Sequence, residues 1–284
     1  MKLEAVAFEG HDCIRLEGDG STLFVTTSVG PRVLGLVAGE GNVFAALPDD
    51  ALDGPGGLRF RLLGGHRLWV APEVPELTYQ PDERPCAVAQ VEGGVRVEAP
   101  PDAAGVVKSM EVREASGGWI VDHAVRNGSS RTILLAPWAI TQLRLGGEVE
   151  LPIGSPGTGP RADRAVVLWP YTDLADPRVR FETGMVRIEA RAGGPTQKLG
   201  AAPGEGWLRY RLGGEVFEKR TDVDPAAEYP DRGAASQVFL CDRFVELETL
   251  GPLGRVEPDG WVTHRERWTL VRADELEPGA RAVA

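Results

Sequence analysis

The feature that most constrains this chain is its punctuation. Short runs rich in β-branched and aromatic residues recur along it, each closed by Gly, Pro, Asp or Asn. Thr22 to Thr27, Val33 to Val37 after Gly30-Pro31, Trp119 to Arg126, Arg131 to Leu135, Ala165 to Trp169 and Met185 to Ala190 read as strands. Trp207 to Leu212, Val216 to Arg220, Gln237 to Cys241, Phe244 to Leu250 and Trp261 to Arg272 continue the series. In Trp119 to Arg126 the alternation puts Trp119, Val121, His123 and Val125 on one face. The βα alternation of a parallel sheet is missing. The pattern predicts an all-β, antiparallel sandwich or barrel with few helices. A length of 284 residues suits one large all-β domain, and no shift of composition marks a second. Pro48 to Gly57 and the tail from Ala273 to Ala284 are rich in acid, Gly, Pro and Ala with little to bury, which predicts loose order there.

Charge narrows the partners. The formal net charge is −11, from 42 acidic and 31 basic residues, and no polybasic run occurs. A nucleic acid needs a basic footprint, so that class of partner is not expected, and neither is an anionic membrane surface. No apolar stretch is long enough to span a bilayer, and Met1 to Gly10 does not read as a secretory signal. Cys13, Cys86 and Cys241 are odd in number and widely spaced, without a Cys-x-x-Cys unit. They read as reduced thiols of a cytoplasmic protein, and no stretch of the chain gathers enough His and Cys for a zinc site, so no structural zinc is expected.

Four segments concentrate residues able to do chemistry. In Gly64-Gly65-His66-Arg67-Leu68-Trp69-Val70-Ala71-Pro72-Glu73 two glycines let the backbone approach something closely. His66, Arg67, Trp69 and Glu73 then read either as a pocket rim or as a turn leading into a core tryptophan. Leu134 to Thr141 is apolar and reads foremost as a buried strand carrying Trp138, with Asn127 before it as a turn residue. From Lys198 to Asp231, Lys198 and Lys219 lie among aromatics, followed by Tyr229-Pro230-Asp231. These lysines either bind hydroxyls or a carboxylate, or snorkel over an exposed sheet face. In Phe244 to Leu253, strand parity puts Val245, Leu247 and Thr249 on one face and Phe244, Glu246 and Glu248 on the other. The two carboxylates read either as half-buried acid–base groups or as solvated acids of an edge strand. Of the four histidines, His66 is the one beside other candidate groups; His123 and His264 read as structural, and His11 as a surface residue.

Three of these segments carry a resemblance. Gly64 to Glu73, Pro137-Trp138-Ala139-Ile140-Thr141 and Glu246-Leu247-Glu248-Thr249-Leu250-Gly251-Pro252-Leu253 resemble segments of a bacterial branch of the galactose mutarotase-like superfamily. Trp169-Pro170-Tyr171-Thr172-Asp173, Tyr229-Pro230-Asp231 and His264-x-Glu266-x-Trp268-x-Leu270 fit the same branch, so the likeness runs from about Thr22 to Leu270. It implies a β-supersandwich with a sugar, or sugar derivative, on the concave face of the larger sheet. In the mutarotases a late glutamate in a Leu-Glu-Thr-like context is the general base, and Glu248 matches it. An early arginine binds the sugar, and Arg67 matches it. The family's acid, a histidine in a His-x-Tyr-Phe-type segment, has no counterpart in Ala136-Pro137-Trp138-Ala139, and His66 is the stand-in.

The site implied has Glu248 and His66 as catalytic pair, with Arg67, Trp69, Glu73, Trp138, Lys198, Lys219, Tyr229, Asp231 and Glu246 binding substrate. Anomer exchange needs one group to take the proton of the anomeric hydroxyl and another to protonate the ring oxygen, so the resemblance implies neither a metal nor an organic cofactor. Two functions follow: an aldose 1-epimerase-like isomerase, or a sugar-binding protein on the same scaffold. Glycoside hydrolysis by Glu246 and Glu248 is the weaker alternative, because neighbours on one strand do not flank a scissile bond from two sides.

Overall fold

The computed structural model describes residues 3–39, 41–53, 57 and 59–275. Among the described residues the strands form two sheets, and every pairing is antiparallel. The larger sheet runs β1 (Leu3–Phe8), β2 (His11–Glu17), β3 (Thr22–Thr26), β4 (Arg32–Ala38), β7 (Arg59–Ala71) and β12 (Ile133–Leu143). It continues through β21 (Val245–Leu250), β20 (Ser236–Leu240), β17 (Gln197–Ala202) and β14 (Ala165–Leu168). Off this path, β5 (Gly41–Asn42) pairs with β4, β6 (Ala46–Asp53) with β7, and β22 (Gly254–Val256) with β12. The second sheet starts with β15 (Val179–Glu182), β16 (Met185–Ala190), β13 (Gly147–Pro152), β18 (Trp207–Leu212) and β19 (Glu215–Arg220). It ends with β23 (Trp261–Arg272), β11 (Gly118–Asn127), β10 (Val106–Ala115), β9 (Gly94–Glu98) and β8 (Ala87–Val91). Two helical turns of four residues each, α1 (Pro75–Thr78) and α2 (Pro230–Gly233), stand beside them. No helix among the described residues is long and apolar enough to cross a membrane.

Period-two alternation produces this arrangement. Along β11, Trp119, Val121, His123 and Val125 are all buried, as the sequence predicts, and β23 answers with His264, Glu266 and Trp268. One apolar cluster fills the space between the sheets, drawing Leu68, Val70, Val245 and Leu247 from the larger sheet and Trp119, Phe217 and Trp268 from the smaller. Burial of such side chains contributes roughly 1.5–3 kcal/mol each before chain entropy is subtracted.

Two expectations are corrected. The Gly64-Gly65 segment is not a turn but the middle of β7, a 13-residue strand. Both glycines take positive φ, 87° and 69°, and a Cβ would lie 1.9 Å from the Ala45 carbonyl oxygen or 2.2 Å from that of Val33. The close approach they allow is between neighbouring strands, not to a ligand. Pro48 to Asp53 is part of strand β6, pairing Leu52 with Phe60 and Asp53 with Arg59. Its acids hid it, because long-range pairing rather than local propensity makes the strand. Of the tail, Ala273 still donates its N–H to the Gly214 carbonyl at 2.8 Å. Residues 54–56 and 276–284 of these two segments lie outside the described residues.

Candidate functional site

Register and parity assemble the site. Arg67 on β7 stands opposite Ile140 on β12, which stands opposite Glu248 on β21, which stands opposite Gln237 on β20. Facing residues of paired strands share a side of the sheet, so these four side chains point the same way. The next row on that face is Gln142, Glu246, Phe239 and Lys198, and the row on the other flank is Trp69, Trp138 and Leu250. The opposite face, with Leu68, Val70 and Leu247, is the core. A cavity of about 340 Å³ opens over the polar and aromatic side, lined among others by Arg67, Trp69, Trp138, Lys198, Glu246 and Tyr171. That lies within the roughly 300–1,000 Å³ usual for small-molecule sites.

The charges in the cleft are paired and leaned on aromatic faces. The Arg67 guanidinium lies 4.1 Å over the Trp69 ring and donates to Glu246 Oε1 at 3.1 Å, where Gln142 also donates at 2.9 Å. Lys198 Nζ stands 4.6 Å from the Trp138 ring centre and 4.9 Å from that of Trp169, with Glu248 Oε2 at 3.0 Å. Trp138 Nε1 donates to the same Glu248 oxygen at 2.8 Å. Glu248 is fully buried behind these lining groups, and burial pushes its carboxyl up to about 7 against the pull of Lys198. Several buried atoms on this face have no hydrogen-bond partner among the described residues: Arg67 Nε and Nη1, Trp69 Nε1, Gln142 Oε1, Gln237 Oε1 and Glu248 Oε1. Buried polar groups are usually satisfied, so such a concentration on one face marks where a polar ligand or water belongs. Tyr79 and Glu73 close one wall, the phenol donating to Glu73 Oε1.

No protein-family model matches the chain, and no curated protein matches it. Solved structures do. A galactose mutarotase-like protein from Lactobacillus casei is 9% identical, with a TM-score of 0.55 over 91% of this chain and 100% of its own. A candidate aldose 1-epimerase from Escherichia coli K12 is 12% identical, with a TM-score of 0.52 over 91% of this chain and 98% of its own. A TPR-domain containing protein from Parabacteroides distasonis is 11% identical with a TM-score of 0.62 over 96% of this chain, which spans 50% of that protein's chain. The fold is the galactose mutarotase-like sandwich. At such identities the likeness speaks for the fold alone.

On this mutarotase-like scaffold the predicted residues divide. Arg67, Trp69, Glu73, Trp138, Lys198 and Glu246 line one cavity, and Glu248 lies directly behind it. Asp231 is not part of the lining; it accepts from Gln237 Nε2 at 2.9 Å in a turn where Asp231 and Arg232 hold φ of 51° and 60°. Tyr229 is not part of the lining; its hydroxyl accepts from the Asp224 N–H at 3.0 Å.

His66 and Lys219 are corrections. One residue from Arg67 on a strand, His66 must face the other way, and it lies wholly buried between the sheets. Its Nδ1 meets Thr141 Oγ1 at 2.8 Å and its Nε2 meets His123 Nε2 at 2.7 Å. Burial, with Lys219 beside it, holds its pKa well below the usual imidazole value. Lys219 reaches into the same interior from β19, pairing with Glu266 Oε1 at 2.7 Å and donating to Thr141 and to the Leu247 carbonyl. His123 and His264 are buried there too, burial holding His264 down to about 3, and His11 is not among the cleft-lining residues. None of the four histidines lines the cleft. Sequence reasoning missed Tyr79 in the cleft lining and the buried Gln142 and Gln237 on the same sheet face: a lone Gln carries no local signal, and Tyr79 joins only because the chain after α1 folds back over Trp69, ring centres 5.2 Å apart.

Proposed function

We propose that this protein binds a sugar on the concave face and interconverts its anomers, with Glu248 as general base. The observation that carries this reading is the state of Glu248. Its carboxyl is raised to about 7, one oxygen is held by Trp138 and Lys198, and the other has no partner among the described residues. A base whose pKa lies near the working pH is the efficient one. Arg67 offers two unpartnered donor nitrogens, Nε and Nη1, for hydroxyls, and Trp69 and Trp138 offer ring faces for the C–H side of a pyranose. The reaction passes the anomeric hydroxyl proton to Glu248 while a proton reaches the ring oxygen. The C1–O5 bond opens to the free aldehyde, which rotates and closes again. With no imidazole in the cleft, the proton for the ring oxygen falls to other lining groups, among them the Lys198 ammonium and the Tyr171 phenol. Glu248 is wholly covered, so the hydroxyl reaches Oε1 only if the groups over it move.

That same lack of an imidazole favours a second reading, a sugar-binding protein without catalysis. Anomer exchange followed by NMR across a panel of aldoses decides between them. Catalysis by the wild type, lost ~10²–10⁴-fold in Glu248→Gln, supports the isomerase. Binding without exchange supports the second reading. No binding of any sugar removes both.

A further inference from the structure

We propose that His66, His123 and Glu266 form a site for a single divalent ion of the zinc class, joining the two sheets inside the sandwich. The proposal is independent of the cleft, which opens on the other face of the larger sheet. His66 comes from β7; His123 and Glu266 come from β11 and β23 of the second sheet. One ligand atom from each lies within 4.8 Å of the other two, and all three residues are fully buried. His66 Nε2 is 2.7 Å from His123 Nε2 and 3.9 Å from Glu266 Oε2.

Two features beyond proximity point to an ion. Metal-binding histidines have the far ring nitrogen held by a second group, which aims the near one. Both rings meet that condition: His123 Nδ1 donates to the His264 carbonyl at 3.0 Å, and His66 Nδ1 meets Thr141 Oγ1 at 2.8 Å. The carboxylate is held too, with Trp268 Nε1 donating to Oε2 at 2.8 Å and Lys219 on Oε1. Two nitrogens and a carboxylate oxygen form the donor set that zinc accepts, at about 2.0–2.2 Å each. At such bond lengths the two nitrogens of a tetrahedral ion stand roughly 3.3–3.5 Å apart. Binding therefore separates the His66 and His123 rings by several tenths of an ångström. In a closed interior the ion enters as the chain folds, as is common for structural sites.

The competing arrangement is a hydrogen-bond chain with no ion. The Thr141 hydroxyl then donates to His66 Nδ1, and His66 Nε2–H donates to His123 Nε2. The full-length protein, produced in zinc-supplemented medium and passed over a chelating resin, discriminates the two by its metal content. The expected result is about one divalent ion per chain, falling to background in His123→Gln. On refolding with Co²⁺, the visible absorption of a low-coordinate cobalt site is expected. Thr141→Ala, which keeps all three ligands, is expected to weaken Co²⁺ binding by roughly 10–100-fold. Wild-type protein that refolds to the same thermal midpoint with and without Zn²⁺, and carries only background metal, overturns the proposal and leaves the hydrogen-bond chain. So does metal that persists in both His123→Gln and Glu266→Gln. The wild-type measurements stand even if a variant does not fold.

Discussion

At the scale of single residues, Glu248 differs from Glu246 by what covers it. Both point to the cleft side of the larger sheet from β21, yet Glu246 lines the cavity and is tied to Arg67 and Gln142, whereas Glu248 is fully buried and held by Trp138 and Lys198. Burial raises Glu248 to about 7, and this has two consequences of fixed sign. A base works when ionised, so anomer exchange should rise with pH through about 7 and level off above it. Stability should run the other way. The folded value lies above the ordinary glutamate value of about 4.3, so the contribution is fully present below that value and is lost as pH rises through the folded one. A pH–rate profile beside thermal midpoints at the same pH values measures both, and both dependences should flatten in Glu248→Gln. A rate already at its plateau at pH 5 would remove Glu248 as the base. His66 is the residue-scale contrast. His66→Ala leaves His123 Nε2 without its partner inside the sandwich, at a cost of about 1–3 kcal/mol, while Thr141 keeps the Lys219 hydrogen bond. Sugar affinity in that variant should stay close to wild type, by calorimetric titration beside urea unfolding. A large loss of affinity with stability intact would return His66 to the site.

At the scale of elements, β7 is the hinge of the design. It pairs with β4, β6 and β12, and its alternate residues serve the core and the cleft in turn. The parity of β21 was legible beforehand, because Val245 and Leu247 alternate cleanly with Glu246 and Glu248. The parity of β7 was not, because two glycines in the middle of a strand imitate a turn. Those glycines make a test. Gly64→Ala puts a methyl 1.9 Å from the Ala45 carbonyl oxygen at a φ of 87°, so neighbouring strands must part. It should destabilise the protein by more than about 1 kcal/mol, read by urea unfolding, while Gly117→Ala, at a turn with open space around it, should cost less. Equal costs at the two positions would mean that β7 does not pack as described.

At the scale of the whole molecule, the sequence by itself determined the fold class and much of one face of the site. Strand-length runs of alternating residues bury one side only when stacked in sheets, and scattered Gly and Pro end each run, so an antiparallel sandwich follows from local chemistry. Arg67, Trp69, Lys198 and Glu246 were legible because charged and aromatic residues crowd into their segments, whereas Trp138, in a segment that reads foremost as buried strand, entered through the family resemblance. What only the tertiary structure decided is which side of a strand faces which layer. A one-residue step along a strand turns a side chain through the sheet, so His66 and Arg67, adjacent in sequence, end on opposite faces. Residues 66, 123 and 266 share no spacing that a reader of the chain could notice, and they meet because β7 packs across the sandwich from the β11–β23 pair. Lys219 was read as a substrate-binding lysine beside aromatics, yet it lies in that same interior, because the partner that pairs its charge, Glu266, is set by the β19–β23 register. Local pattern fixes the period of burial; its phase depends on contacts between strands distant in sequence.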